Sequence, residues 1–155
     1  MKKILLMAFA AFAAVTGVVN AGTPITQDQL PKEARSFIAK YFPGEKIRKV
    51  EQDQGRRGME YEVDFLSGAE VEFREDGTWK DVKAARGNSI PSAIVPSAIT
   101  KHVQANYSGQ SIVEISRKRG GYEIELSNGS ELKFTEDAKP LVNQGGGRRG
   151  GSPRK

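Results

Sequence analysis

Alternating polar and apolar residues define the clearest element of this sequence, a strand pair within residues 59–73. Apolar Tyr61 and Val63 alternate with acidic residues, and the alternation resumes after a Leu-Ser-Gly turn. This period of two predicts a β-hairpin with one buried face and one solvent-facing side. Because the three-residue loop ends in glycine, we expect Val63 to lie opposite Val71 and Tyr61 opposite Phe73.

A second hairpin pattern of the same outline occupies residues 122–134, and a helical pattern precedes each hairpin. Apolar residues recur at helical spacing over residues 30–42, and the same spacing returns after Pro96. The two halves align as tandem copies over about residues 30–82 and 95–142. The predicted fold class is therefore α+β, a tandem repeat of a helix followed by an antiparallel β-meander. We expect the helices to pack on a shared antiparallel sheet.

The two ends of the chain differ in composition from the repeats. Residues 1–21 combine two lysines, an apolar run and a small-residue cleavage site, which predicts a secretory signal peptide. Residues 145–155 are rich in glycine and arginine, so we expect a disordered basic tail. A single domain over residues 22–144 remains, with no transmembrane segment after cleavage. These features predict a periplasmic or secreted protein.

The charge and the cysteine content narrow the class of protein. The formal net charge is +5, but much of the excess lies in the predicted signal peptide and in the tail. The predicted domain is close to neutral, and this disfavours nucleic acid as a partner. The chain has no cysteine, which excludes both a disulfide framework and a lipid-modified cysteine.

Three features of the sequence together make the chain similar to a known family. Each helical pattern begins with a Leu-Pro or Val-Pro pair, at residues 30–31 and 95–96, and both hairpins begin with an aromatic residue followed by glutamate. The first unit ends in the turn Glu-Asp-Gly-Thr-Trp at residues 75–79. Over residues 30–142 the chain resembles the PepSY-like, beta-lactamase-inhibitor-like exported proteins of Gram-negative bacteria. The resemblance implies a tandem α/β repeat on a shared antiparallel sheet, without enzymatic activity.

The second unit departs from this pattern at its end. Residues 137–140 read Asp-Ala-Lys-Pro and lack counterparts of Gly77 and Trp79. The sequence therefore leaves open whether the last strand of the second unit forms.

The residue types needed for catalysis are scarce. The chain has no cysteine for nucleophilic catalysis, and the single histidine, His102, falls inside the second predicted helix. A lone histidine at such a position is typical of a packed or hydrogen-bonded residue. We expect no enzymatic activity, no cofactor and no His/Cys metal centre.

Acidic side chains occupy the polar face of the first hairpin. In the predicted register Glu62 lies opposite Glu72, and Asp64 lies opposite Glu70. Like charges in this arrangement are mildly destabilising unless a partner compensates them. A basic protein surface or a hard cation such as calcium would do so. The alternative is a solvated outer face whose charges are screened by water and salt.

Basic residues cluster at equivalent places in the two halves. Arg56 and Arg57 lie in a predicted loop of the first half, and Arg117, Lys118 and Arg119 lie in the matching loop of the second. Arginines on related edges of one domain are suited to an acidic protein, a polysaccharide or anionic lipid headgroups. Nucleic acid is disfavoured because no aromatic residues interleave the arginines. The alternative is a pair of soluble turns.

These patterns support one leading functional hypothesis and one alternative. The leading hypothesis is an exported, non-enzymatic binding protein that inhibits or modulates another envelope or secreted protein through the polar sheet face and basic loops. Trp79 is a further candidate contact residue, although its pairing with Phe73 favours the core. The tail would contact anionic polymer or lipid headgroups. The alternative is a structural or sequestering envelope protein that binds a cation or an anionic polymer.

Overall fold

The computed structural model describes residues 22–141. The predicted signal peptide, residues 1–21, and the basic tail, residues 145–155, lie outside the described residues. Within the described part the fold is α+β, as predicted, with two α-helices and one nine-stranded antiparallel sheet. The elements are β1 (Thr23–Pro24), α1 (Lys32–Tyr41), β2 (Ile47–Gly55), β3 (Gly58–Phe65), β4 (Glu70–Arg74), β5 (Trp79–Lys83), α2 (Ser97–Asn106), β6 (Ile112–Lys118), β7 (Gly121–Leu126), β8 (Glu131–Thr135) and β9 (Pro140–Leu141), with short 3₁₀ turns at Gln27–Gln29 and Ser92–Ile94.

The nine strands follow one another across the sheet in sequence order, so each pairs with its neighbour in the chain. Strands β5 and β6 join the two halves by antiparallel pairing, with Val82 opposite Ile115 and Asp81 opposite Ser116. A long connection between them carries α2. Both halves therefore contribute to one continuous sheet.

The strand register of the first hairpin is as predicted. Tyr61 pairs with Phe73 and Val63 pairs with Val71, while Phe73 also lies opposite Trp79. Gly68 closes the intervening turn with a φ of 92°, a conformation that side-chain-bearing residues rarely adopt. The glycine-terminated loop thus sets which face of each strand is buried.

The helices cover the apolar face of the sheet. Helix α1 begins at Lys32, two residues later than the pattern predicts, because Pro31 precedes the first helical turn as its cap. Its buried residues are Ala34 and Ile38. Beyond its end, the Phe42 ring stacks on Phe65 with centroids 4.8 Å apart. Aromatic contacts of this kind fix the helix against the strands.

Two predicted loops are shorter in the structure, and the prediction that Arg117 and Lys118 lie in a loop is wrong. Strand β2 continues to Gly55, and only Arg56 and Arg57 remain in the turn. Strand β6 includes both Arg117 and Lys118. At these strand ends polar residues replace the alternating pattern, so sequence periodicity stops before the hydrogen-bonded ladder does.

The last strand, which the sequence left open, forms as the two-residue β9. Phe134 of β8 pairs with Pro140, and the preceding turn places Ala138 at a φ of 58°. Alanine thus takes the left-handed conformation that glycine supplies in the other turns. Within the described residues β9 spans Pro140 and Leu141, and Pro140 donates no ladder hydrogen bond.

The hydrophobic core lies between the helices and the sheet. Trp79 is only 7% exposed, so the expectation that its pairing with Phe73 favours the core is confirmed. Among residues 22–141, the ten largest fully buried side chains all belong to this layer: Phe65, Phe73, Phe134, Ile99, Ile115, Ile124, Leu126, Val63, Val71 and Val82. Among the described residues, neither helix has the length and hydropathy needed to cross a membrane.

Candidate functional site

The side of the sheet opposite the helices carries a continuous field of charged residues, here called the polar face. Because side chains alternate along each strand, every residue that pairs between two core positions points to this side. Acidic residues predominate on it: Glu51, Asp53, Glu60, Glu62, Asp64, Glu70, Glu72, Asp81, Glu114, Glu123, Glu125 and Glu131, with Lys49, Lys83 and Lys133 interspersed. The polar face is therefore suited to a cationic partner or to internal compensation by lysines.

The structure brings four predicted site residues together on this face. Glu62 pairs with Glu72, and Asp64 pairs with Glu70, in the predicted register. Carboxylate oxygens of Glu62, Asp64 and Glu70 lie within 4.8 Å of one another. Direct cross-strand pairs of like charge are destabilising unless compensated.

Lys49 provides part of that compensation. Its Nζ lies 3.1 Å from Glu51 and 3.4 Å from both Glu62 and Asp64. The hydrogen bond with Glu51, together with the attraction of Asp64 and Glu62, raises the pKa of Lys49. This lysine therefore remains charged and lies within an acidic pocket of its own sheet.

Lys80 provides the second compensation, and an irregularity in the sheet places it there. Phe73 pairs with Trp79 but Glu72 pairs with Asp81, so Lys80 is an extra residue in β5. Its Nζ lies 2.6 Å from Glu60 and 2.8 Å from Glu72. Burial lowers the pKa of Lys80, but the hydrogen bonds to Glu60 and Glu72 outweigh burial and raise it overall. No sequence pattern indicates this bulge.

Asp64 is the most buried of the carboxylates, with a side chain only 6% exposed. Arg48 approaches its Oδ2 to 2.7 Å and Lys49 approaches the same atom to 3.4 Å. Beside it, burial raises the pKa of Glu70, and repulsion from Glu62 and Asp64 adds to the effect. The three carboxylates offer the hard oxygen ligands that calcium prefers, although two cationic side chains already contact Asp64.

A further polar pair lies at the junction of the two halves. Ser116 is buried and donates a hydrogen bond from Oγ to the carboxylate of Asp81 across β5 and β6. Burial raises the pKa of Asp81 against the lowering effect of this hydrogen bond. Burial likewise raises the pKa of the neighbouring Glu114. No local sequence pattern indicates this pair, because its members are 35 residues apart.

The predicted basic residues converge at one end of the sheet, where the β2–β3, β4–β5 and β6–β7 turns meet. They line a groove of about 730 Å³, here called the arginine groove. Its basic residues are Arg56, Arg57, Arg74, Lys80, Arg117, Lys118 and Arg119, and its acidic residues are Glu60, Glu75 and Asp76. Glu60 and Lys80 also line a groove of about 420 Å³ on the polar face. The two regions therefore form one continuous charged surface.

Arg74, which no sequence motif marks as a site residue, holds together the two strands that border the groove. Its guanidinium donates hydrogen bonds to the carbonyl of Trp79 at 3.2 Å and to the carbonyl of Arg117 at 3.0 Å. The guanidinium of Arg117 lies over the Trp79 ring, 4.1 Å from its centroid. Trp79 is thus a buried support for the groove, and its ring is not an exposed contact.

The single histidine has a packing role. His102 lies on α2 with its ring edge-on to Phe134, at a centroid distance of 5.4 Å. The Asn106 side chain donates to the His102 carbonyl at 2.9 Å. Phe37 makes the same edge-on contact with Phe73 in the first half, at 5.6 Å. His102 therefore contributes to packing at the helix–sheet interface, away from both charged surfaces.

Comparison with solved structures gives close relatives of this fold. A periplasmic protein of the DUF2874 family from Bacteroides vulgatus is 33% identical, with a TM-score of 0.74 over 79% of this chain and 96% of that chain. A periplasmic protein from Bacteroides thetaiotaomicron, described as calcium-regulated, is 35% identical, with a TM-score of 0.73 over 77% of this chain and 93% of that chain. A second periplasmic protein of unknown function from Bacteroides vulgatus is 35% identical, with a TM-score of 0.70 over 74% of this chain and 90% of that chain.

These relatives confirm the predicted periplasmic location. No curated protein matches the chain significantly. The family model described as beta-lactamase-inhibitor-like and PepSY-like matches residues 16–65 and 59–141. The match spans both helices and every strand of the described sheet. The chain therefore belongs to the PepSY-like, beta-lactamase-inhibitor-like family, as the sequence resemblance indicated.

Proposed function

We propose that this protein is a non-enzymatic binding protein of the periplasm that inhibits or modulates another envelope protein. The observation that carries the proposal is the continuity of the arginine groove with the polar face. Glu60 and Lys80 border both regions, so residues from both halves of the chain form one charged surface. Complementary charge on a partner gives specificity and a fast association rate.

The absence of a catalytic arrangement among residues 22–141 supports the non-enzymatic part of this proposal. The chain has no cysteine, and His102 packs against Phe134 at the helix–sheet interface. The carboxylates of raised pKa, such as Glu70 and Asp81, lie on an open sheet face beside other charges. General acid–base catalysis needs such a group within hydrogen-bond reach of the proton it transfers on a bound substrate.

Capture from envelope extract tests the proposal. The mature chain is crosslinked briefly to proteins of the extract. Arg57→Glu changes the arginine groove and Glu62→Lys changes the polar face. Arg35→Glu, at an exposed position of α1, is the matched control. We expect a saturable protein partner that the control retains and that at least one surface variant loses. Retention by every variant would place the contact elsewhere, and the absence of any saturable partner would contradict the proposal.

The same capture with residues 145–155 deleted separates the folded domain from the basic tail. We propose that the domain, residues 22–144, holds the protein-binding activity, and that the tail adds contacts to anionic polymer or lipid headgroups. Positive segments are attracted to anionic surfaces by about 1 kcal/mol for each lysine or arginine. Loss of the protein partner with the tail alone would contradict this division.

A second candidate function is cation sequestration by Glu62, Asp64 and Glu70. Two observations favour it: their oxygens lie within 4.8 Å of one another, and a relative 35% identical is described as calcium-regulated. Calcium takes six to eight oxygen ligands, so solvent or a partner would supply the remainder. Binding would compete with Arg48 and Lys49 for Asp64.

Calorimetric titration with calcium tests this second function. Glu70→Gln removes one carboxylate of the cluster, while Glu131→Gln removes an exposed one on the distant strand β8. We expect the first variant to weaken calcium binding by about tenfold or more and the second to leave it unchanged. Equal affinities for the two variants would exclude the cluster as the calcium site.

We also infer that the two halves are copies of one unit. Support comes from the repeated order of one helix followed by four strands, α1 with β2–β5 and α2 with β6–β9. The contacts of Phe37 with Phe73 and of His102 with Phe134 occupy corresponding places in the two halves. Expression of residues 22–90 alone tests whether the first unit folds without the second, since strand β5 then lacks its partner β6.

A further inference from the structure

The arginine groove has more positive charge than its own residues neutralise. Arg56, Arg57 and Arg119 are exposed, and none of them forms an ion pair with a residue of the described chain. The Asp76 carboxylate is engaged by its own turn, where it accepts hydrogen bonds from the backbone and hydroxyl of Thr78. Three arginines of the groove are therefore free to meet an external anion.

Arg117 adds a further positive charge to the groove, on a side chain whose hydrogen bonds are incomplete. Its Nε is buried and has no hydrogen-bond partner among residues 22–141. A buried, unpaired donor on a charged group is costly and calls for an explanation. Arg117 nevertheless lines the arginine groove, and because its guanidinium stacks on Trp79, its orientation is fixed before any ligand arrives.

The shape of the groove distinguishes between kinds of anion. Arg57 immediately precedes β3 and Arg117 lies on β6, and these two strands are three strand spacings apart in the sheet, or about 14 Å. A single phosphate cannot span this distance. An extended peptide covers it with about four residues. Glu60 and Glu75, which also line the groove, would repel a dense polyphosphate but leave room for carboxylates that are well separated.

We propose that the arginine groove binds an extended acidic peptide segment, with carboxylates about four residues apart contacting Arg56 and Arg57 at one end and Arg117 and Arg119 at the other. This inference rests on the proposed function and names the chemistry that the groove would recognise in a protein partner. The groove volume of about 730 Å³ lies within the range of known ligand clefts. Arginine–carboxylate pairs supply the specificity, since the planar guanidinium donates two parallel hydrogen bonds.

The test uses two synthetic peptides of equal charge, Asp-Gly-Ser-Gly-Asp and Gly-Asp-Asp-Ser-Gly, each with blocked ends. Trp79 is the only tryptophan of the chain and lies beneath Arg117, so its fluorescence reports occupancy of the groove. We expect the separated aspartates to bind at least about fivefold more tightly than the adjacent ones. We expect Arg119→Glu to weaken binding about tenfold, and Arg86→Glu, an exposed control on the connection between the halves, to leave it unchanged.

The outcomes separate this inference from the proposed function. Equal affinity for the two peptides, or binding that Arg119→Glu leaves intact, would overturn the inference. The inference would also be overturned if inorganic pyrophosphate displaced the peptide at a concentration lower than the peptide itself needs to occupy the groove. A protein partner captured from envelope extract would uphold the proposed function even then, because the partner would contact another part of the surface.

Discussion

The guanidinium of Arg117 lies over the ring of Trp79, with 4.1 Å between its central carbon and the ring centroid. Trp79 begins β5 and Arg117 lies near the end of β6, so the contact crosses the junction between the two halves. Arg74 binds the carbonyls of both residues. One core residue of the first half thus positions a basic residue of the arginine groove.

Replacing Arg117 by methionine should test this contact. The variant keeps most of the side-chain length but loses the charge, so we expect a loss of about 1 kcal/mol in the free energy of unfolding and a shift in Trp79 emission. Urea denaturation followed by fluorescence measures both effects. Arg119→Met, in the neighbouring turn, should change neither by a comparable amount. Identical behaviour of the two variants would show that the stacking contributes nothing.

Removing the Phe73 ring should be among the most damaging changes to the core. Phe73 is 0% exposed and contacts the Phe37 ring edge-on. We expect Phe73→Ala to lower the free energy of unfolding by about 3–5 kcal/mol. Leu66 is 64% exposed, and Leu66→Ala should change it by less than about 0.5 kcal/mol. Thermal denaturation of the two variants checks the difference, and similar losses would contradict the assigned core.

Glu70 and Glu123 should have opposite effects on stability as the pH changes. Burial raises the pKa of Glu70 above its ordinary 4.5, so the folded state binds a proton more tightly than the unfolded chain does. The stabilising effect of this proton is complete below pH 4.5 and is lost as the pH rises through the raised pKa. Glu70→Gln should therefore be more stable than the native chain at pH 7, and this advantage should shrink in acid.

For Glu123 the sign is reversed. The hydrogen bond from Lys133 lowers the pKa of Glu123 below 4.5, so its contribution is present above that pH and is lost as the pH falls through the lowered pKa. Glu123→Gln should therefore be less stable than the native chain at pH 7. Urea midpoints measured at pH 7 and at pH 3 check both signs. The same sign for both variants at pH 7 would contradict the electrostatic assignment.

Gly121, the first residue of β7, should be less replaceable than the turn glycine Gly129. Its φ is 154°, and a Cβ added there would lie 1.8 Å from the carbonyl oxygen of Phe134. Gly129 has a φ of 81°, but an added Cβ would meet nothing within 4 Å. We expect Gly129→Ala to cost about 1 kcal/mol through backbone strain alone, and Gly121→Ala to cost more than about 2 kcal/mol. Equal losses in chemical denaturation would show that the backbone at β8 moves aside.

The sequence predicted the parts of the polar face that depend on one hairpin. The opposition of Glu62 to Glu72 and of Asp64 to Glu70 follows from alternation and from the length of one glycine-terminated turn. The positions of the lysines that compensate these acids could not be predicted from the same alternation. Lys80 reaches Glu60 only because β5 contains an extra residue, and no sequence pattern marks that bulge.

The sequence by itself determined the α+β class, the two helices and the hairpin registers, because periodicity and turn glycines act between residues close in the chain. Tertiary structure decided how the halves meet and which charges lie together. Ser116 binds Asp81 across 35 residues, and Arg74 binds the Arg117 carbonyl across 43. Such contacts depend on the β5–β6 pairing, which the buried apolar faces of both halves favour once they share a single core. Local sequence patterns do not predict that pairing, so the arginine groove can be identified only in the folded chain.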